Sequence, residues 1–325
     1  MLILTLNINK SNLYCNLRGL SMETMKIVIN QIIMMYILIL IGFMLYRKGI
    51  INDEGTFQLT NILLWIVNPM IMLTRYQMNF SIEKFNELML SLGLAMAVMV
   101  FGLIVAKIFI RNGNGIDQFA ISFPNSGFMG IPMVSSILGI DSVFFLSAYL
   151  VCFNILSYTY GIYLVSGDKK QVSVKKIVTN PAVIAVVIGL IIFISPVKLP
   201  EPVYNACDLL GNINTPVAMI ILGTYIAQSK VADLFTDRRA YYISFIKLII
   251  IPIMTVALLK FIPNSLYDIK MVMYIASVTP TGMTVAMLSQ VYGADYSYGA
   301  RIVGLTTVLS LITIPLALFL PTLIW

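Results

Sequence analysis

Apolar residues run along this chain in long blocks, not in the alternation of a strand or the one-sided stripe of a surface helix. The blocks cover 26–46, 57–74, 86–110, 117–139, 142–165, 177–196, 203–227, 240–260, 268–292 and 299–323. A helix crosses a bilayer with ~20 apolar residues, so the pattern predicts an all-α integral membrane protein with ten transmembrane helices. The second block is short, and the fourth is rich in Gly and Pro. Connections are brief, as between Tyr46 and Gly55; the longest, 166–176, reads SGDKKQVSVKK. Residues 1–24 interrupt their apolar run with Asn, Lys and Arg and lack the pattern of a signal peptide. They read as a disordered tail or as the product of a misassigned start, with Met22 or Met25 as the true one.

The two halves resemble each other. The second block contains LLWIVNPMIMLTRY and the seventh GNINTPVAMIILGTY, so each carries Asn and Pro in mid-span, at Asn68 and Pro69 and at Asn214 and Pro216. The fourth (ISFPNSGFMGIPMVSSILGID) and the ninth (SVTPTGMTVAMLSQVYGAD) each pass from proline through glycine to a Gly-x-Asp ending. Helices one to five (25–165) therefore correspond to six to ten (177–325), with 166–176 between them. Five is odd, so the second copy is expected upside down relative to the first, as in many secondary transporters.

Proline within a span removes a hydrogen bond and clashes with the preceding turn, and lipid cannot satisfy the freed backbone. Pro124, Gly127, Gly130 and Pro132 fall close enough together to interrupt helix four, and Pro280 stands at the matching place in helix nine. For Pro252, Pro315 and Pro321 a packing kink suffices. Two broken helices meeting at the midplane would aim the N-termini of their second halves at one point, where the helix dipole and unpaired N–H groups favour an anion. Asn125, Ser126, Thr279 and Thr281 would supply neutral polar ligands there. Gly282 allows close approach, and Asn68 and Asn214 join the candidate substrate site from helices two and seven. Among ionisable residues within spans, Asp208 is the candidate for coupling or gating. Lys247 and Arg301 read as side chains snorkelling to the interface.

Composition narrows the chemistry. With 59% hydrophobic and 11% charged residues and a mean hydropathy of +0.92, little chain is left for a soluble domain. There is no histidine, which removes Ser-His-Asp triads and His-ligated metal or haem. Cys15, Cys152 and Cys207 match no metal or disulfide spacing. The net charge of +7 reflects loops, not nucleic-acid binding. Leaving aside the N-terminal tail, Arg47, Lys48, Lys107, Arg111, Lys169, Lys170, Lys175, Lys176, Lys230, Arg238, Arg239 and Arg301 fall on one side, against Arg75, Lys84, Lys198, Lys260 and Lys270 on the other. The positive-inside rule then puts the 166–176 loop in the cytoplasm and both termini outside the cell membrane.

PNSGFMGIP at 124–132 resembles the fourth-helix PNxxxMGIP pattern of the auxin efflux carrier family, which includes the plant PIN carriers and bacterial malate-type permeases. PTGMTVAMLSQVYGAD at 280–295 is similar to that family's ninth-helix segment, and IVNPMIM at 66–72 and TIPLAL at 313–318 agree in order. The resemblance covers nearly the whole chain from Met25. It implies ten helices with crossing, broken helices four and nine. Helices one, two, six and seven would form a scaffold and a homodimer contact, and the others a moving transport unit. It also implies a substrate held by Pro124, Asn125, Pro280, Thr281 and Gly282. The long hydrophilic central loop of the plant carriers is absent, and Thr281 and Thr284 replace residues those proteins use.

The reading is a secondary carrier for small organic anions such as carboxylates, working by alternating access, with no enzymatic activity, cofactor or metal, and with the lipid bilayer as surroundings. A sodium-coupled symporter of the bile-acid type is the alternative within transport; no acid lies between Phe119 and Gly139 or between Ile269 and Gly293. A non-transporting membrane sensor is the alternative outside it.

Overall fold

Backbone polar groups find no partners in lipid, so each apolar block must satisfy them within itself, as a helix. A computed structural model has this architecture and describes residues 10–111, 114–172, 175, 178–195, 197–228 and 235–325. In chain order the helices are α1 (Lys10–Arg47), α2 (Asp53–Arg75), α3 (Ile82–Phe109), α4 (Gly115–Ser122), α5 (Ser126–Leu138), α6 (Ile140–Ser166), α7 (Pro181–Ile194), α8 (Glu201–Gln228), α9 (Arg238–Leu259), α10 (Tyr267–Val278), α11 (Thr284–Val291) and α12 (Tyr296–Ile324). Among the described residues seven are long and apolar enough to cross a membrane: α1 through Ile29–Arg47, α2, α3, α6, α8, α9 and α12. No strand occurs among them; one isolated antiparallel bridge joins Pro124 to Thr281. The outward faces are apolar, with Ile191, Ile312 and Leu323 62%, 66% and 67% exposed. Helices apolar on both their inner and outer faces belong in a bilayer, and the protein is a multi-pass membrane protein.

Helix starts carry the expected caps. Asn52, Ser81, Asn180 and Asp237 each accept a backbone N–H from the first turn of α2, α3, α7 and α9. Helix α1 already begins at Lys10, inside the 1–24 segment expected as a tail; residues 1–9 of that segment lie outside the described ones. So do Ser173, Val174 and Lys176 of the 166–176 loop, and Lys230.

The mid-span prolines do not all act alike. Pro69, Pro132 and Pro252 each follow a widened π turn, at Leu63–Val67, Ser126–Gly130 and Ile246–Ile250, which makes room for the ring without ending the helix. Pro315 and Pro321 lie inside an uninterrupted α12. Only Pro124 and Pro280 stand in extended backbone, between α4 and α5 and between α10 and α11.

Packing is close where side chains are absent. A Cβ on Gly42 would meet the Ile220 carbonyl at 2.1 Å and one on Gly223 the Ile39 carbonyl at 2.0 Å, so α1 and α8 lie backbone to backbone. Helix α1 packs on α8, α8 on α2 and α2 on α7, while α3 packs on α6 and α10, α9 on α10 and α12, and α11 on α12.

Candidate functional site

The two breaks meet. Asn125 donates its N–H to the Pro280 carbonyl at 2.7 Å, and Gly282 donates to the Phe123 carbonyl at 2.8 Å, so the extended segments pair antiparallel across each other. A Cβ on Gly282 would stand 3.0 Å from the Pro124 carbonyl oxygen and 3.2 Å from that of Phe123. Only glycine lets the segments approach this closely.

Each proline leaves the carbonyl four residues earlier without its helical donor. Ala120 O, four before Pro124, accepts the Thr281 hydroxyl at 2.9 Å. Ala276 O, four before Pro280, accepts the Thr279 hydroxyl at 2.9 Å. The Thr281 N–H, which would have served Ser277 O in a continuous helix, turns instead to the Thr306 hydroxyl at 3.3 Å. Ser277 O accepts from the ammonium of Lys247 at 3.1 Å. The crossover thus rebuilds internally the bonds that proline removed.

A cavity of about 270 Å³ opens beside it. Pro124, Asn125, Gly127 and Phe128 line it from the first break, and Gly282, Thr284, Met287 and Leu288 from the second. Helix α2 adds Leu64, Trp65, Asn68 and Met72, helix α6 adds Phe153, Asn154 and Tyr158, and the start of α7 adds Thr179, Asn180, Pro181 and Ala182. Among the described residues no Lys, Arg, Asp or Glu lines it. Asn125 is 3% exposed and its side-chain nitrogen has no hydrogen-bond partner. A buried amide left unpaired costs about 1–3 kcal/mol, so a polar ligand in the cavity would find a donor there that protein leaves unused. Asn180 links to Asn154 at 3.2 Å while capping α7, which fixes both amides at the mouth.

Of the residues singled out in sequence, Pro124, Asn125, Gly127, Gly282 and Asn68 line this cavity. Ser126 is buried beside them, its hydroxyl without a partner, and Gly130 is buried one turn on. Pro280 pairs with Asn125 through backbone. Thr279 and Thr281 are fully buried and donate their hydroxyls to carbonyls; neither lines the cavity, in contrast to the free ligands expected. Asn214 donates its side-chain amide to Asn68, joining α8 to α2 behind the cavity wall. Asp208 lies away from the cavity and pairs with Arg75 at 2.6 Å and with Asn212 at 3.1 Å.

The expectation for one basic residue changes. Lys247 does not snorkel: it is 1% exposed. Arg301 is held locally, at 3.1 Å from the Ser297 hydroxyl and 3.7 Å from Asp237. Asp117, passed over in the sequence, is completely buried and accepts from Arg239 and, at 2.6 Å, from the Tyr298 hydroxyl, clamping α4 to α9 and α12. Its position in the first turn of α4, just behind the Asn114 cap, was the available signal. Asn180 could have been found in the same way, since Asn followed by Pro181 at the start of an apolar run marks a helix start.

Comparison with known proteins places the chain among membrane transporters. A family profile described as membrane transport protein matches residues 27–318. The chain belongs to that auxin efflux carrier-like family. An uncharacterized transporter of Methanothermobacter thermautotrophicus is 24% identical over 297 residues, 86% of this chain and 94% of that one. The matched residues take in both breaks and every lining residue named above.

Proposed function

We propose that this family member is a secondary carrier for small organic anions such as carboxylates, with the substrate held at the crossover of α4–α5 and α10–α11. The observation that carries this reading is the unpaired, buried amide of Asn125 on a cavity that both breaks border. The second halves α5 and α11 begin beside it, and their N–H ends favour negative charge. Neutral donors suit an ion that must also leave. Apolar walls from Trp65, Phe128, Phe153 and Met287 suit the substrate's carbon frame.

In this reading the broken pairs α4–α5 and α10–α11 each count as one spanning unit, the chain has ten such units in two inverted sets of five, and Pro124 and Pro280 are their equivalent points. Helices α1, α2, α7 and α8 form the scaffold, and the remainder moves past it to give alternating access. Hydrogen bonds from Tyr36 to Thr307 and from Tyr76 to Ser147 (2.7 Å) tie the two groups together in this state and must break when it changes. The Arg75 pairing favours Asp208 as a clamp between α2 and α8, both in the scaffold, over the coupling role expected from sequence. The mouth at Thr179–Ala182 faces the cytoplasm if the basic loops do.

Uptake of labelled mono- and dicarboxylates into proteoliposomes, with proton and sodium gradients varied separately, tests the reading. Wild type should move at least one carboxylate, and Asn125→Ala should abolish that movement at unchanged protein abundance. Transport by Asn125→Ala equal to wild type would place the substrate elsewhere, and dependence on sodium alone would favour the symporter alternative. A cysteine at Gln171 should label from the cytoplasm with an impermeant maleimide and one near Trp325 from outside.

A further inference from the structure

Lys247 is the one fully buried cation in α9, and the clamps and the cavity make no use of it. It stands nine residues into the Arg238–Leu259 span, which at ~1.5 Å per residue is ~14 Å along an axis that crosses an apolar core ~30 Å thick. Neither interface is within reach of its side chain. Among the described residues its ammonium has one hydrogen-bond partner, Ser277 O at 3.1 Å, and no carboxylate within ion-pair distance.

Among the described residues the neighbouring elements supply no counter-charge. From α4 comes Asp117, already held by Arg239 and Tyr298. On α12, Tyr298 is bound to Asp117 and Arg301 to Ser297 and Asp237, while Tyr296 reaches Gln228 at 3.4 Å. On α10, Tyr274 donates to Ala317 O and Lys270 to Ile262 O and Asn264, with Tyr267 and Asp268 in the first turn at the far end. On α9 itself Arg238, Arg239, Tyr241 and Tyr242 lie at the start of the helix. A lysine so placed is stable uncharged, or charged when an anion comes near.

The anion's place is close by in the chain. Ser277 lies two residues before Thr279, and the same segment continues through Pro280 to Gly282 at the cavity. Among the described residues the cavity lining has no cation, and the bond from Lys247 to Ser277 O ties a basic side chain to the ninth-helix break two residues before Thr279. Resting on the anion-carrier reading above, we infer that Lys247 is a positioning residue that takes a proton from solvent as the anion binds at the crossover, so that anion and proton cross together. The step adds one proton to the Lys247 amine on the loading side and returns it to solvent on the other; no other bond changes.

The experiment follows binding of a carboxylate identified in the uptake screen to purified protein, together with proton uptake in weakly buffered solution with a pH indicator. Wild type should take up close to one proton per anion over part of a pH titration, and its affinity should fall as pH rises past that part, because the charged lysine is then lost. Lys247→Gln keeps a donor for Ser277 O without the charge; it should bind ~10-fold or more weaker with no proton uptake. Lys247→Arg should bind without proton uptake and without the alkaline fall. Proton uptake by Lys247→Gln equal to wild type, or wild-type binding that is independent of pH and takes up no proton, overturns the inference; the second result needs no variant to fold. If those results appear while Asn125→Ala still abolishes binding, the anion site stands and only the role of Lys247 falls. If wild type binds no carboxylate, both readings fall together.

Discussion

The fourth- and ninth-helix breaks have nearly the same backbone and different chemistry. Each has a proline in extended chain, a threonine hydroxyl on the carbonyl four residues before it, and one backbone bond to the other break. At the first break, Asn125 presents an unpaired amide to the cavity and Gly127 has open space around it. At the second, Thr279 and Thr281 point inward to carbonyls, Gly282 is pressed against Pro124, and a buried lysine takes the last carbonyl. Backbone geometry is shared because proline and lipid impose the same problem on both. Side-chain roles diverge, and under the function proposed above the reason is that one site needs only one set of free ligands: the first break would offer them and the second would hold it in place.

The largest effect expected from this contrast is at the glycines. Gly282→Val has no room beside Pro124 and should separate the crossing segments, abolishing transport and lowering the melting temperature of the purified protein; overpacking of this kind costs about 1–3 kcal/mol or more. Gly127→Ala meets nothing within 4 Å and should leave stability unchanged or raise it by about 0.5–1 kcal/mol, while altering uptake through the narrower cavity. Equal destabilisation at the two positions would remove the distinction.

A smaller and more selective effect separates the polar residues. Thr281→Val leaves Ala120 O without its donor and should cost about 1–3 kcal/mol of stability, with anion binding retained in the folded fraction. Asn125→Ala should do the reverse, keeping stability within about 0.5 kcal/mol, as expected where no protein hydrogen bond is removed, and losing binding. Thermal melts and ligand titrations on both variants measure the two directions at once.

The smallest effect is expected outside both breaks. Asp208 is 34% exposed at its side chain and Arg75 11%, and a partly solvated pair of this kind is worth ~1 kcal/mol or less. Asp208→Asn should lower the melting temperature slightly and leave the pH dependence of transport as in wild type. A changed pH profile would return Asp208 to the coupling role and weaken the case for Lys247.

The helices themselves were legible because membrane spans are a one-dimensional signal: length and apolarity suffice, and the blocks at 86–110, 142–165 and 299–323 lie within α3, α6 and α12, save one residue at the end of α3. The breaks were legible too, since proline acts on its own chain wherever it sits. Which prolines break a helix was less clear. Pro69 and Pro124 both follow or precede an Asn in mid-span, yet Pro69 rides on a π turn and Pro124 on extended chain, because only Pro124 has a partner segment for its freed groups.

The sequence by itself determined the class of molecule, its long apolar helices and the two places where helix could not continue, for these depend on local composition and on what backbone can do in lipid. Tertiary structure alone decided which polar groups are free. Thr281 and Asn125 look alike as short polar residues beside a proline. The hydroxyl of one is bonded to Ala120 across the crossover and the side-chain nitrogen of the other has no partner, because a hydrogen bond depends on what the rest of the fold brings within reach. The same is true of Lys247: its residue type and depth were visible from the start, but that it ends on Ser277 O, and not at the membrane surface, follows from the packing of α9 against α10.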